Sequence, residues 1–392
     1  MVARHTGPAL TDSFGRDDKI ATDDRVATLN ELLAPADVRI NGSRPFDPRI
    51  RDIRALDQIL RRGSLGAGEA YMRGWWDVSA LDECIYRIIS AGIDGHLRQA
   101  GTWKLLVRAW LSNPQAPSRA FRIGEAHYDL GNDLFTAMLD DRMVYSCAFW
   151  EGVDTLHAAQ AQKLDLICRK LGLRTGDRLL DVGCGWGSLL RFAAENYGVA
   201  GVGITVSREQ ALLARERCAG LPIEIRLQDY RDLDERFDHV ASVGMIEHVG
   251  ARNYRRLFDT VRRCLAPGGL FLLHTIGSNK TRRTVDPWID RYIFPSGELP
   301  SLRQLSSVAE GRFVIEDVHN FGANYDHTLM AWYRNFIDHW PTLEQRYSQT
   351  FRRMWTYYLL SCAGAFRARS MQLWQLVMSP TGIPGGYRRP LP

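Results

Sequence analysis

Arg178-Leu-Leu-Asp-Val-Gly-Cys-Gly-Trp-Gly-Ser188 is the stretch that decides the fold. Arg178 to Val182 is a short apolar run that reads as a buried strand. It runs into glycines at alternate positions, Gly183, Gly185 and Gly187, and then into the helical pattern Leu189, Leu190, Phe192, Ala193, Ala194. Strand, glycine turn and helix open an α/β nucleotide site, because glycine turns tightly and lets a ligand approach the backbone. The spacing excludes two common readings. A dinucleotide fingerprint needs a third glycine three residues after the second, where this chain has Ser188. A phosphate-binding loop needs Gly-Lys-Ser/Thr, and no lysine lies here. Asp181, just before the glycines, fits a cofactor that carries an amine and no phosphate.

The turn resembles the S-adenosylmethionine (SAM) loop of class I methyltransferases. Outward from it, α/β alternation is plain. Residues 155–171 read as a helix leading to the central strand. Strands follow at 199–205, 223–227, 237–243 and 270–274, with helices at 208–218 and 254–265 between them. Such alternation means a mostly parallel sheet covered on both faces, with ligands at the C-terminal strand ends. Asp181, Thr205, Gln228, Glu247 and His274 all fall at such ends. A loop-rich excursion with Pro287, Pro295 and Pro300 spans 275–311 and reads as a substrate cover. A strand at 313–317, helices at 329–337 and 343–362, and a last strand at 371–378 complete the domain. Residues 380–392, rich in Pro, Gly and Arg, read as a frayed tail.

Ahead of this domain lies a smaller, mostly helical unit. Residues 1–22 read as a disordered lead and 23–112 as an N-terminal domain. Residues 113–120 read as a linker and 121–392 as the catalytic domain. Within the N-terminal domain, Val26, Leu29, Leu32 and Leu33 keep helical spacing. Val38, Ile40 and Phe46 with Gly42 and Pro45 suggest a short hairpin, and Ile53, Leu56, Ile59 and Leu60 another helix. Leu81, Ile85, Ile88 and Ile89 form an apolar helix face. A helix at 103–111 mixes Trp103 and Trp110 with Lys104 and Arg108, a pattern suited either to a lipid interface or to a core with snorkelling cations.

Composition sets bounds on function. The chain has 392 residues and a formal charge of only +5, too mild to argue for nucleic acid but compatible with an anionic membrane surface. Seven scattered cysteines with no Cys-x-x-Cys pair argue against a disulfide framework and a zinc site, and suit a reducing compartment. No metal site is expected. The polar start is not a secretory signal and no uncharged apolar stretch is long enough to span a bilayer, so a cytoplasmic protein with peripheral membrane contact is expected.

The motifs resemble those of cyclopropane-fatty-acyl-phospholipid synthases over most of the chain, from about Gly68 to Met378. The segments that carry the resemblance include Tyr71-Met-Arg-Gly-Trp-Trp76, His127-Tyr-Asp129, Tyr145-Ser-Cys147, Gln228-Asp-Tyr-Arg-Asp232, Gly244-Met-Ile-Glu-His248, Leu273-His-Thr-Ile-Gly277, Asp286-Pro-Trp-Ile289 and Ala363-Gly-Ala-Phe-Arg367. The related mycolic-acid enzymes lack most of the N-terminal unit, and the bacterial phospholipid enzymes look like this chain. The resemblance implies that the SAM methyl becomes a methylene bridge across a cis double bond of a phospholipid acyl chain. It also implies a class I SAM-methyltransferase fold, a homodimer through a lipid-binding N-terminal unit, and residence at the inner face of the membrane.

It further implies a bound bicarbonate as the base, with ligands that map onto Cys147, Glu247, His274, Tyr325 and the backbone of Ile276. For SAM it implies Tyr145 and Ser146 from a lid, Asp181, Gly183, Cys184, Gly185 and Gly187 at the methionine end, and Thr205 and Gln210 at the ribose. Gln228, Asp229 and Tyr230 fall to the adenine. Cys362 matches a cysteine once proposed as catalytic, but its helical surroundings favour packing. Each base-site residue also has a plain structural reading: Cys147 as core, His274 as a satisfied histidine, Tyr325 as packing, Glu247 as a cap. Their convergence at strand ends favours chemistry. Two alternatives stay open: a SAM methyltransferase acting on another lipid or an amine, and a membrane-binding protein that does no chemistry. Arg352-Arg353 and Arg367-Arg369 are candidate lipid contacts.

Overall fold

The computed structural model describes residues 23–93, 131–281 and 285–390. The expectations for 1–22, the 103–111 helix, the 113–120 linker and His127-Tyr-Asp129 lie outside the described residues.

The N-terminal part begins with α1 (Asp24–Leu33), capped by the Asp23 carboxylate, which accepts the Arg25 amide at 2.9 Å. The hairpin expected from Val38, Ile40 and Phe46 does not form. Asp37 and Asn41 adopt left-handed backbone, which breaks strand alternation. Side chains take over the backbone donors instead. Asp47, 3 % exposed, accepts Arg39 N at 2.9 Å and Arg44 N at 3.1 Å, and Asn41 Oδ1 accepts Ile50 N at 2.9 Å. The actual pairing is longer in range: β1 (Arg49–Ile50) lies antiparallel to β2 (Trp76–Asp77). Between them runs α2 (Arg54–Met72), and after them α3 (Leu81–Ser90).

The second part is the α/β layer. Helices α4 (Asn132–Met138) and α5 (Leu156–Leu171) lead into β3 (Arg178–Val182). Then come α6 (Ser188–Tyr197), β4 (Ala200–Thr205), α7 (Arg208–Arg217), β5 (Ile223–Leu227), β6 (Phe237–Val243), α8 (Tyr254–Cys264) and β7 (Leu265–Ser278). The 275–311 excursion is less loop-like than expected, since it holds α9 (Pro287–Tyr292) and α10 (Leu302–Ala309). After it follow β8 (Val314–Asn320), α11 (Asn324–Asp338), α12 (Trp340–Leu343), α13 (Gln349–Arg367) and β9 (Met371–Ser379). The seven strands lie in the order β5-β4-β3-β6-β7-β9-β8. The first five are mutually parallel; β9 is antiparallel to both β7 and β8. This is the mixed class I methyltransferase sheet, and its apolar strands are buried by helices on both faces. β7 continues past His274 because its second half finds a partner late in the chain, Thr275 opposite Trp374 and Ser278 opposite Met371.

The two parts are joined tightly through α13. A Cβ on Gly364 would come within 2.4 Å of the Asp82 carbonyl oxygen, so glycine lets α3 and α13 touch backbone to backbone. Arg367 pairs with Asp82 at 2.8 Å and Asp326 at 2.9 Å, and Arg353 pairs with Asp77 at 2.6 Å. Arg352 lies over the Trp340 ring, and Arg369 bonds Gln372. The arginines that looked like lipid contacts are engaged within the molecule. The tail is also docked: Tyr387 donates to the Lys170 carbonyl at 3.0 Å and Arg389 Nε lies 2.9 Å from Asp317 Oδ2.

Candidate active site

The glycine turn after β3 sits where the sheet changes direction, between β4 and β6. Gly183 has φ +86°, and a Cβ there would lie 2.7 Å from Met245 Cγ. Gly187 has φ +81°, with Cys218 Sγ at 2.8 Å from such a Cβ. Only glycine fits at either position. Gly185 is also left-handed, and Cys184 is buried between, its amide bonded to Ile204 O at 3.0 Å. Asp181 is 2 % exposed and its Oδ1 has no partner among the described residues. Burial raises its pKa to about 7. At the end of β4, Thr205 donates to Gln210 Oε1 at 2.9 Å, both side chains buried, while Glu209 is exposed. After β5, Gln228 donates to Asp232 O at 3.1 Å, and the Asp229 carboxylate is held by Arg231 at 2.6 Å. Tyr230 follows, half-buried under Arg231.

Beside this turn a cavity of about 370 Å³ opens, walled by both parts of the molecule. Tyr145, Ser146, Glu247, His274, Ile276, Tyr325 and Cys362 line it. Leu29, Leu33, Ile50, Ile85 and Ile88 of the N-terminal part also line it, as do Trp288 and Tyr357. Cys147 is fully buried but is not a wall residue; its thiol lies 4.0 Å from Thr328 Oγ1 and points to Ala148 O.

Topology brings the polar groups together. Glu247 lies on a 3-10 turn just past β6, and His274 pairs in register with Val243 on the neighbouring strand. Tyr325 is in the first turn of α11, which starts five residues before the expected 329. Glu247 Oε1 accepts the Ile276 amide at 2.7 Å, so that amide is already engaged. Glu247 Oε2 and His274 Nε2 are buried without a partner among the described residues. The Gln375 amide nitrogen lies 3.2 Å from His274 Nδ1. Donating there, it leaves the ring proton on Nε2. Burial pushes the Glu247 carboxyl up to about 7, the His274 imidazole well below its usual range, and the Tyr325 phenol well above. The site therefore holds a neutral imidazole and phenol as donors beside a carboxyl poised near neutrality. Glu247 Oε2 and His274 Nε2, both on residues that line the cavity, fit a small anion bearing both a hydroxyl and acceptor oxygens.

Aromatic rings surround this point. Tyr145 and Trp332 have centroids 5.1 Å apart, Tyr325 and Phe366 4.5 Å, and Phe294 and Tyr358 5.7 Å. The Tyr145 and Tyr358 hydroxyls are 2.9 Å apart. The sequence reading did not single out Tyr358, Gln375 or Lys163, and it named Phe366 only within the segment 363–367. Two of these had a visible signal: Gln375 interrupts the apolar run Leu373 to Met378, and Lys163 sits at a core position of α5.

Comparison with known proteins gives a consistent picture. The family model for mycolic acid cyclopropane synthetase matches residues 115–376. Cyclopropane-fatty-acyl-phospholipid synthase of Escherichia coli K12 is 53 % identical over 360 residues, covering 92 % of this chain and 94 % of that protein. Tuberculostearic acid methyltransferase UfaA1 of Mycobacterium tuberculosis is 33 % identical, covering 83 % and 81 %. Among solved structures, cyclopropane synthase MmaA2 from Mycobacterium tuberculosis superposes with a TM-score of 0.62 at 31 % identity, covering 66 % of this chain and 97 % of that one. Mycolic acid cyclopropane synthase CmaA1 complexed with SAH and CTAB gives 0.61 at 32 %, with the same coverage.

Proposed function

The chain belongs to the mycolic acid cyclopropane synthetase family, and from that premise we propose how its residues turn a SAM methyl group into a ring carbon. The enzyme is a SAM-dependent methyltransferase that cyclopropanates unsaturated lipid chains. The observation that carries the residue-level reading is the apolar cavity that Glu247, His274 and Tyr325 line together. An acyl chain fits its walls, and a relative crystallised with SAH and CTAB, a long-chain amphiphile, supports that use.

SAM lies along the strand ends, its methionine part at Asp181, Gly183, Cys184, Gly185 and Gly187. Thr205 and Gln210 serve the ribose, and Gln228, Asp229 and Tyr230 the adenine. Tyr145 and Ser146 close over it. The alkene carbon takes the methyl group as the sulfur–carbon bond breaks, which leaves a cation on the neighbouring carbon and S-adenosylhomocysteine behind. Tyr145, Tyr325, Tyr358 and Phe294 offer ring faces to that cation, each worth about 0.5–2 kcal/mol when water is excluded. Loss of a proton from the new methyl lets its electron pair close the three-membered ring.

Glu247, His274 and Tyr325 would hold a bicarbonate ion, which when bound would supply the base for that proton. His274 Nε2 and the Tyr325 hydroxyl would donate to its oxygens, and Glu247 Oε2 would accept its hydroxyl. Ile276 acts by holding Glu247, and Cys147 by packing behind the site. Cys362 lines the cavity as a neutral thiol, its pKa raised by burial to about 12. The N-terminal unit supplies the far wall of the acyl site and a lipid-facing, dimer-forming surface on the cytoplasmic face of a membrane. No helix among the described residues is long and apolar enough to cross a membrane.

The test is incubation with SAM and vesicles of a monounsaturated phospholipid, followed by mass analysis of the released fatty acids. A gain of one CH₂ with loss of the double bond supports the reading. The same mass gain with an alkene or branched product reopens the base site. No mass change, with SAM bound, moves the substrate outside the phospholipids.

A further inference from the structure

Helix α5 carries a lysine that the mechanism above leaves unused. Lys163 is 1 % exposed, and among the described residues its ammonium makes one hydrogen bond, 2.9 Å to Ser146 Oγ. A cation taken out of water is costly unless an anion or several hydrogen bonds compensate. Among the described residues no carboxylate closes on it: Asp140 Oδ1 accepts the Val144 amide at 3.0 Å, while Asp140 Oδ2 and Asp181 Oδ1 are buried without hydrogen-bond partners. Burial lowers the Lys163 pKa to about 8, with Asp140, Cys147 and Asp181 acting in the opposite direction, so the group is still mainly charged at neutral pH.

Ser146 connects this charge to the cavity, since it is a wall residue. An ammonium only donates, so Ser146 Oγ accepts from Lys163 and its own proton is left to point elsewhere. The backbone around it is fixed by Gln160, one turn earlier on α5, whose Nε2 donates to Ser146 O at 2.9 Å and Val144 O at 3.3 Å. The hydroxyl is thus presented as a donor with a buried positive charge directly behind it.

We infer that Lys163 and Ser146 form a receptor for a carboxylate-type anion at the head of the cavity, the serine making the contact and the lysine supplying the charge. The inference rests on the methyl-transfer reading. Two anions there share this chemistry, the methionine carboxylate of the cofactor and bicarbonate. Lys163 acts through Ser146 and is a positioning residue.

The experiment uses the full chain and the variants Lys163→Met, Ser146→Ala, their double, and Lys163→Arg. Calorimetry measures binding of S-adenosylhomocysteine and of its analogue lacking the α-carboxylate; turnover is followed against bicarbonate concentration. If the anion is the methionine carboxylate, each single variant weakens S-adenosylhomocysteine by about tenfold and leaves the decarboxylated analogue unchanged, as loss of a charge-assisted hydrogen bond requires. If it is bicarbonate, cofactor affinity stays and the half-saturating bicarbonate concentration rises about tenfold. In either case the double variant is no worse than the singles and Lys163→Arg recovers part of the loss. Unchanged binding and unchanged bicarbonate dependence in Lys163→Met, or additive losses in the double, would overturn the inference. Should Lys163→Met fail to fold, Ser146→Ala and Lys163→Arg carry the same comparison. Failure of the unmodified chain to bind S-adenosylhomocysteine would sink the methyl-transfer reading as well.

Discussion

The Ile276 amide donates to Glu247 Oε1 at 2.7 Å, which ties the turn after β6 to the end of β7 and leaves the second carboxylate oxygen buried and free. One oxygen sets position and the other is available for chemistry. Because burial raises the Glu247 pKa to about 7, its ionisation falls in the working pH range.

Glu247→Ala is therefore expected to lower cyclopropane formation by about a hundredfold or more, the scale of a lost acid–base partner, with S-adenosylhomocysteine affinity nearly unchanged. In the unaltered enzyme the rate should climb as pH rises through about 7, where the carboxyl ionises and can accept a hydroxyl. Glu247→Gln should lack that limb. A profile that is flat from pH 6 to 8 in the unaltered enzyme would remove Glu247 from the base site.

Asp181 carries a related prediction about the cofactor. Burial raises its pKa from 3.8 to about 7. Binding a cationic cofactor beside it favours the ionised form, so SAM binding at pH 6 should release close to one proton, and almost none at pH 8.5. Calorimetry in buffers of different ionisation enthalpy reads this directly. The folded state holds this proton between about pH 4 and 7 while the unfolded chain loses it. Stability from Asp181 is thus complete below about pH 4 and lost as pH rises to 7. Asp181→Asn should flatten that part of the stability–pH curve.

The far wall of the cavity should set how much acyl chain lies beyond the reacting bond. Ile88 on α3 is half-buried and lines the cavity, so Ile88→Trp can fill space without crowding the core. Turnover of phospholipids with long segments beyond the double bond should fall about tenfold relative to short ones, roughly the value of one or two lost methylene contacts. Competition between two chain lengths in one vesicle measures the ratio. An unchanged ratio would place the chain elsewhere.

Gly364→Val tests the join between the two parts. A Cβ there meets the Asp82 carbonyl at 2.4 Å, so α3 must move off α13. The expected cost is about 1–3 kcal/mol in denaturant unfolding, as for other overpacked sites. Cyclopropanation of vesicles should fall more than cofactor affinity, because Ile85 and Ile88 of α3 line the cavity while no residue of the turn at 183–187 does. Equal losses in both would argue against the shared cavity.

Cys362 lines the cavity, but its thiol is pushed up to about 12 and stays protonated. Thiolate, not thiol, is the nucleophile. Cys362→Ala should keep activity within about threefold, and iodoacetamide should label the ligand-free enzyme slowly at this position. A hundredfold loss with unchanged stability would restore a chemical role.

The order of strands and helices from 155 to 274, and the placing of Asp181, Thr205, Glu247 and His274 at strand ends, were determined by the sequence alone. Hydrophobic periodicity and glycine spacing are local properties, so they can be read locally. The hairpin at 38–46 could not be judged that way, because the Arg39 and Ile40 amides donate to the side chains of Asp47 and Asn30, and the strand that does form, Arg49–Ile50, pairs with residues 76–77. The docking of Arg353 and Arg367 into the join, the position of Cys147 behind the cavity wall, and the burial of Lys163 against Ser146 were decided only by tertiary structure. A charged side chain looks solvated in sequence; whether it meets water, a carboxylate or a ligand depends on which distant segment folds over it.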